Sequence, residues 1–378
     1  MKIFWCKSCL NMSTRPRIEF NDNGICNACQ WKEQKKNTDW ASREVELKEL
    51  LSWSKSRSSG FDCIVPVSGG KDGSYVAYKL KHEYGMNPLC VTVRPSLALD
   101  VGEKNLSNFI ESGYSHIQIS PAALVMQELN KLGFIEGGYP YIGWMIAIKT
   151  AVIKLAIRFN ISLIVYGEDG EIEYGGSTET KNNPTYDIEY MKRVYFQGSY
   201  EPLIQQVTDS GLYSSAELDF WNFPSDEEVS NSELKFTHFS YFEPWDSYRN
   251  YLVAKEHCGL QESTESNVGT FTNFSQNDQA LATLHYYLMY LKFGFGRATQ
   301  DAGIEIRRGS MDRDQALNLV RVFDNQFPEH FMQLYLDYYR ITRSEFDQVL
   351  ESCVNKNLFE LSNGQWMPKF EVGVPFEI

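Results

Sequence analysis

Four of the eight cysteines fall within the first 29 residues, as Cys6-Lys-Ser-Cys9 and Cys26-Asn-Ala-Cys29. Two C-x2-C pairs separated by sixteen residues have the spacing of a tetrahedral zinc site built from two knuckles. Each knuckle brings two thiolates to one side of a tight turn, and Gly24 ahead of the second suits such a turn. Four protein ligands leave no open coordination position, so the expected Zn2+ is structural rather than catalytic. Its work would be to fold a segment too short for a core of its own.

A second constellation is Ser68-Gly69-Gly70-Lys71-Asp72-Gly73-Ser74. Gly69 and Gly70 allow a sharp turn and a close approach of backbone to ligand. A helix pattern starts at about Asp72, so its free N–H groups and positive dipole end face the loop, a geometry that suits an anion. Lys71 adds a point charge, and Asp72 can hold Mg2+ beside phosphates. Ser68 and Ser74 offer hydroxyls. The spacing is neither the G-x-x-x-x-G-K-[ST] of a Walker loop nor G-x-G-x-x-G. Relative to the pattern SGGxDS, Gly73 displaces the serine by one residue, so the Gly73 N–H is expected to take over its contact.

The elements that must position these residues alternate. Strand-like "DCIVPV" (62–67) leads into a helix from about Asp72 to Tyr84. "PLCVTV" (88–93) precedes a helix around Gly102 to Ser112, and "HIQIS" (116–120) precedes one starting at Pro121. A long apolar helix, Tyr141 to Asn160, leads into "SLIVYG" (162–167). Strands alternating with helices predict an α/β fold with a doubly wound parallel sheet. Ligands of such sheets sit at the carboxyl ends of the strands, where the loop, Val93-Arg94 and Gly167-Glu168-Asp169 all fall. Beyond about Asn182 the alternation stops and a mostly helical pattern follows. The expected domains are a zinc ribbon (1–38), a nucleotide domain (39–200) and a helical substrate or partner region (201–378).

Length allows two or three domains, and 43% hydrophobic with 22% charged residues is an ordinary globular balance. A net charge of −13 argues against a broad nucleic-acid surface. Lys149, Lys154 and Arg158 interrupt the apolar helix, so it reads as a core helix rather than a membrane span. With no signal-peptide pattern at Met1-Lys2-Ile3-Phe4-Trp5, a soluble cytoplasmic protein is expected. Cys63 and Cys90 sit in apolar runs and read as inert core residues.

The run SGGKD after a first strand resembles the PP-loop of the N-type ATP pyrophosphatases. The resemblance implies a loop cradling the β- and γ-phosphates of ATP, cleavage between α and β, and AMP passed to an acceptor oxygen. A nitrogen or sulfur nucleophile then displaces AMP. The ribbon together with "VPVSGGKDGSY", "GEDGEIEYGG", "YFEPWDSYRNY", "GTFTNF", "HYYLMYLKFGFGRATQD" and "IEIRRGSMDRDQAL" resembles the bacterial N-acetyl sugar amidotransferases, from Cys6 to about Phe323. Those enzymes serve surface-polysaccharide and flagellar-glycan biosynthesis and turn an acetamido group into an acetamidino group. Pseudaminic acid and a nucleotide-linked diacetamido-uronic acid are the sugars implied, the first preferred.

This reading gives further residues roles. Lys71, Asp72, Glu168 and Asp169 are the catalytic candidates, the last two for metal binding or for deprotonating ammonium; a solvated acidic loop is the competing reading. Arg297, after Gly294 and Gly296, and Arg307 could fork onto a substrate carboxylate or phosphate. His285, on a mostly apolar helix, reads first as a packed core residue and second as a substrate contact. No cysteine has a glutaminase setting, so ammonia must come from solution or from a partner. The resemblance implies partner proteins similar to the glutaminase and cyclase subunits of imidazole glycerol phosphate synthase. Two rivals remain: a tRNA-thiolating PP-loop enzyme, which needs cysteines at the crevice, and a non-enzymatic scaffold of a glycan-assembly complex.

Overall fold

The computed structural model describes residues 2–196 and 200–378. Its centre is a five-stranded sheet of β1 (Cys63–Pro66), β2 (Pro88–Val93), β3 (His116–Ile119), β4 (Leu163–Tyr166) and β5 (Lys235–His238). The order across the sheet is β3-β2-β1-β4-β5, and every pairing is parallel. Strand β2 is buried at all six positions, as a central parallel strand covered on both faces must be. Successive side chains of β1 serve opposite layers. Ile64 packs with Leu89, Val91 and the helices Ala123–Gly137 and Ile142–Arg158. Cys63 and Val65 pack with the helices Trp40–Arg57 and Lys71–Tyr78.

The chain reverses its direction of travel across the sheet at β1, with β2 on one side and β4 on the other. That is the switch point at which open α/β sheets leave a crevice above the strand ends. Expected and observed elements agree closely up to β4. The difference comes after it: the sheet continues past residue 200, because β5 pairs along β4 from Leu163↔Lys235 to Tyr166↔His238. The helix Ser247–Cys258 then packs along the helix Lys71–Tyr78. A boundary at 200 therefore cuts the sheet layer. Strand β5 carries little local signal: it is a four-residue edge strand, Lys-Phe-Thr-His, reached through several short helices rather than one crossover helix.

The helical region has its own core, which Trp5 and Met12 of the ribbon share with Leu284, Tyr335 and Phe346. Lys2–Ile3 pairs antiparallel with Phe376–Glu377, so the two ends of the chain meet beside this core. Among the described residues no helix is long and apolar enough to cross a membrane.

Candidate active site

The phosphate loop occupies the switch point. Gly69 has φ +78°, and a Cβ there would lie 2.4 Å from the Leu106 nitrogen. Only glycine lets the loop turn this way while touching the helix Asp100–Glu111. Gly70 is the N-cap of the helix Lys71–Tyr78, which places Lys71 and Asp72 in its first turn. Two cavities meet at this loop and share Ser68, Gly73, Gly102 and Asp278 as walls. One, of about 240 Å3, lies over the strand ends against Val67, Val93, Arg94, Trp144, Lys149 and Tyr166. The other, of about 140 Å3, lies over Gly70, Lys71 and Asp72 and is roofed by Phe274, Ser275, Gln276 and Asn277. The first is mostly apolar in its strand-end walls; the second is polar. A nucleoside over the strand ends with its phosphates on the loop matches that division.

Lys71 pairs with Asp72, and Asn250 Nδ2 donates to Asp72 Oδ1 at 3.1 Å. Both charged groups thus sit at the floor of the loop cavity, where Asp72 could share Mg2+ with phosphate oxygens. Glu168 approaches from the other side. Burial first, then the Asp72 carboxylate, pushes it up to about 7, against the pull of Lys71. It opens onto a third cavity of about 110 Å3 with Lys35, Trp245, Ser247 and Arg307.

Several expected ligand contacts take other roles. Asp169 caps the helix Gly170–Tyr174, accepting from the Glu171 N–H at 3.1 Å and the Ile172 N–H at 3.5 Å. Its second oxygen accepts from Thr180 Oγ1 at 2.6 Å and lies 3.6 Å from His238 Nδ1. The hydrogen bonds of that carboxylate are structural, and it lines neither loop cavity. Ser74 is fully buried and lines neither loop cavity; the extra Gly73 has turned it into the helix packing. Gly73 does line both cavities, and a Cβ there would come within 2.9 Å of the Pro66 carbonyl. Its close approach is therefore to β1 as well as to the cavity. Gly167 is another packing position, with Asp72 and Trp245 each 3.2 Å from where its Cβ would be.

Arg297 is 7% exposed and pairs with Asp301 at 2.7 Å, between the rings of Tyr174 and Tyr286. The Gly296-Arg297 turn is tied down by Asp324, which accepts from the Gly296 N–H at 2.9 Å and the Thr299 N–H at 3.0 Å. This arginine is an internal strut, lining none of the cavities above. His285 packs against Tyr141 and Tyr286, and burial pushes it down to about 4, so it is a neutral core residue. Arg307 borders the cavity at Glu168, with the thiols of Cys9, Cys29 and Cys26 in its electrostatic surroundings. Arg94 is exposed and pairs with Glu103 at 3.3 Å on the rim of the strand-end cavity.

The four ribbon cysteines converge. Their sulfurs all lie within 4.8 Å of one another and are buried. The Cys9–Cys26 sulfurs are 3.6 Å apart, and the Cys26 N–H points at Cys6 Sγ at 3.2 Å. Sulfurs at this spacing fit around one tetrahedral metal ion with bonds near 2.3 Å. Cys63, Cys90 and Cys258 are buried and line neither loop cavity. Burial pushes the Cys90 thiol up to about 12.

The sequence assigns no site role to Lys149, Tyr166, Trp144 or the roof residues 274–277. Nothing in the sequence sets Trp144 and Tyr166 apart from core aromatics. Lys149 has one legible signal, as the first of three cations that interrupt an apolar helix. The roof begins at the end of the motif GTFTNF, but nothing local places it over a loop about 200 residues earlier in the chain.

Residues 268–371 match the family described as LPS biosynthesis protein WbpG-like, C-terminal domain. An uncharacterized protein of Methanocaldococcus jannaschii is 33% identical over 89 residues, which is 23% of this chain and 32% of that protein. The match thus spans about a third of the curated relative's length. Among solved structures, the tRNA thiolase NcsA of Methanococcus maripaludis, solved with its 4Fe-4S cluster, aligns with a TM-score of 0.32 and 11% identity. The alignment covers 71% of this chain and 79% of the thiolase.

Proposed function

We propose that this chain is an ATP-dependent amidotransferase that converts an acetamido group of a bacterial surface-glycan sugar into an acetamidino group. One observation carries the reading. The segment that roofs the phosphate loop, Phe274 to Asp278, lies inside the region that matches a lipopolysaccharide-biosynthesis family. A wall of the loop cavity thus comes from the region similar to that family, which supports the reading.

An amide is a poor electrophile. Attack of its oxygen on the α-phosphorus of ATP, with loss of pyrophosphate, makes an imidate whose leaving group is AMP. Ammonia adds to the imidate carbon, AMP departs, and an amidine remains. The loop N–H groups and Lys71 hold charge growing on the pyrophosphate, and each such preorganised donor contributes about 3–4 kcal/mol. Mg2+ held by Asp72 would neutralise phosphate charge when bound. Glu168, raised to about 7, is protonated in about half the molecules at neutral pH, which lessens the negative charge beside Asp72. The ribbon thiolates would hold structural Zn2+. Pseudaminic acid or a diacetamido-uronic acid is the substrate proposed, with ammonia delivered by a glutaminase and cyclase-type pair.

Mass spectrometry decides between this and its rivals. With ATP, Mg2+, ammonium and free or nucleotide-linked acetamido sugars, the product should lose about one mass unit as oxygen is replaced by NH, with stoichiometric AMP. Thiolation of tRNA, or no pyrophosphate release with any sugar, would overturn the reading.

A further inference from the structure

The amidotransferase reading leaves open which group takes the proton from the incoming nitrogen. Ammonia that has added to the imidate carbon carries a positive charge, and AMP leaves readily only after a proton has gone. Glu168 sits on the far side of the loop and Asp169 is consumed by its helix cap, so neither faces the strand-end cavity.

Lys149 does face it. It projects from the helix Ile142–Arg158 into the wall formed with Ser68, Gly73 and Tyr166. Its Nζ lies 3.6 Å from the centre of the Tyr166 ring and 5.3 Å from that of Tyr195. Among the described residues no carboxylate or carbonyl hydrogen-bonds it, and the Tyr166 hydroxyl beside it is also buried without a partner. Its neighbours are ring faces rather than a carboxylate or carbonyl, so the amine is not tied into an ion pair and can meet a ligand in the cavity that holds the loop.

We propose that Lys149 is the proton acceptor for the nitrogen nucleophile, with Tyr166 as the positioning residue that holds its amine over the cavity. The nitrogen lone pair of ammonia forms the C–N bond. A proton passes from that nitrogen to the lone pair of Lys149 Nζ. The C–O bond to AMP then breaks with its electron pair, while a nitrogen lone pair closes the C=N bond. Lys149 later returns the proton to solvent.

Two effects act on the amine in opposite directions: the Tyr166 ring face favours its protonated form, and burial favours the neutral one. Burial pushes Lys149 down to about 7, opposed by Asp169. His238 at the end of β5 is pushed down to about 4, by burial first, and stays neutral. The Tyr166 and Tyr195 phenols are pushed up, by burial first, and stay neutral as well. Across the cavity stand Arg94 and Glu103, paired with each other, and Asp278.

The test separates two half-reactions in the full-length, metal-loaded protein. In Lys149→Met, sugar-dependent exchange of labelled pyrophosphate into ATP reads any loss of nucleotide binding or adenylation. Amidine formation from ammonium should fall by about 100-fold or more beyond whatever fall the exchange shows, the usual contribution of general base catalysis. Hydroxylamine, whose adduct nitrogen loses its proton to water, should restore turnover, and Lys149→Arg should behave like the methionine variant. An equal fall of exchange and amidine formation in Lys149→Met, or full ammonium activity in Lys149→Arg, would overturn the assignment. A second measurement needs no turnover: carbon-13 lysine resonances, assigned with Lys149→Arg, should show one amine titrating near pH 7 and responding to added ATP. A midpoint above pH 9, or no response to ATP, also overturns it. If wild type released no pyrophosphate with any sugar, the amidotransferase reading would fall by itself, and the titration would still decide whether Lys149 is a neutral amine at the nucleotide.

Discussion

Two turns border the crevice, and they behave differently. In the phosphate loop, Ser68, Gly70, Lys71, Asp72 and Gly73 all reach the same cavity. In the turn after β4, three consecutive residues go three ways. Gly167 packs on Asp72 and Trp245, Glu168 enters a cavity beside Arg307, and Asp169 turns back to cap a helix. The reason is the source of the contacts. A loop at a helix N-terminus offers backbone donors that point one way, whereas a tight turn that relies on side chains fans them apart. A run of chemical residues is therefore a site only where the backbone does the binding.

That contrast can be broken in order of expected effect. Cys26→Ser should be the most damaging change, removing bound metal and costing roughly 3 kcal/mol or more, a Tm fall of about 5 °C or more; metal analysis and calorimetry check it. Next is Gly69→Ala. The left-handed backbone alone costs Ala about 1–2 kcal/mol, and the overlap with Leu106 adds to it, so ATP binding measured by calorimetry should be lost. Gly73→Ala should cost about 1–3 kcal/mol as an overpacked contact with β1 and weaken ATP use more than a Gly→Ala change at solvent-facing Gly60, where a Cβ meets nothing within 4 Å. Full pyrophosphate release by that variant would remove the close-approach role of Gly73.

The two acids of the second turn give the smaller effects. Glu168 is raised to about 7 when folded and is near 4.3 when unfolded. The folded state therefore binds the extra proton between those values. Its contribution to stability is present below pH 4 and is lost as pH rises through 7, with a slope of at most about 1.4 kcal/mol per pH unit. Denaturant melts of the nucleotide-free protein from pH 4.5 to 7.5 should show that slope in wild type and lose it in Glu168→Gln. Asp169→Asn should cost about 1 kcal/mol as a weakened cap and change kcat less than Glu168→Gln does. The reverse ranking would return Asp169 to the chemistry.

What the sequence determined by itself is what local backbone geometry can enforce. The cysteine spacing predicted convergent sulfurs, the glycines and lysine predicted a loop at a helix N-terminus, and the alternation predicted four of the five sheet strands in place. The tertiary structure decided the rest. It turned Ser74 inward, spent Asp169, Arg297 and His285 on capping, pairing and packing, added β5, and brought Lys149 and the 274–278 roof to the crevice. The physical reason is that a side chain's role depends on which unpaired partner the fold places beside it. A buried carboxylate or guanidinium takes the nearest complementary group it is given, and residues far apart in the chain supply that group.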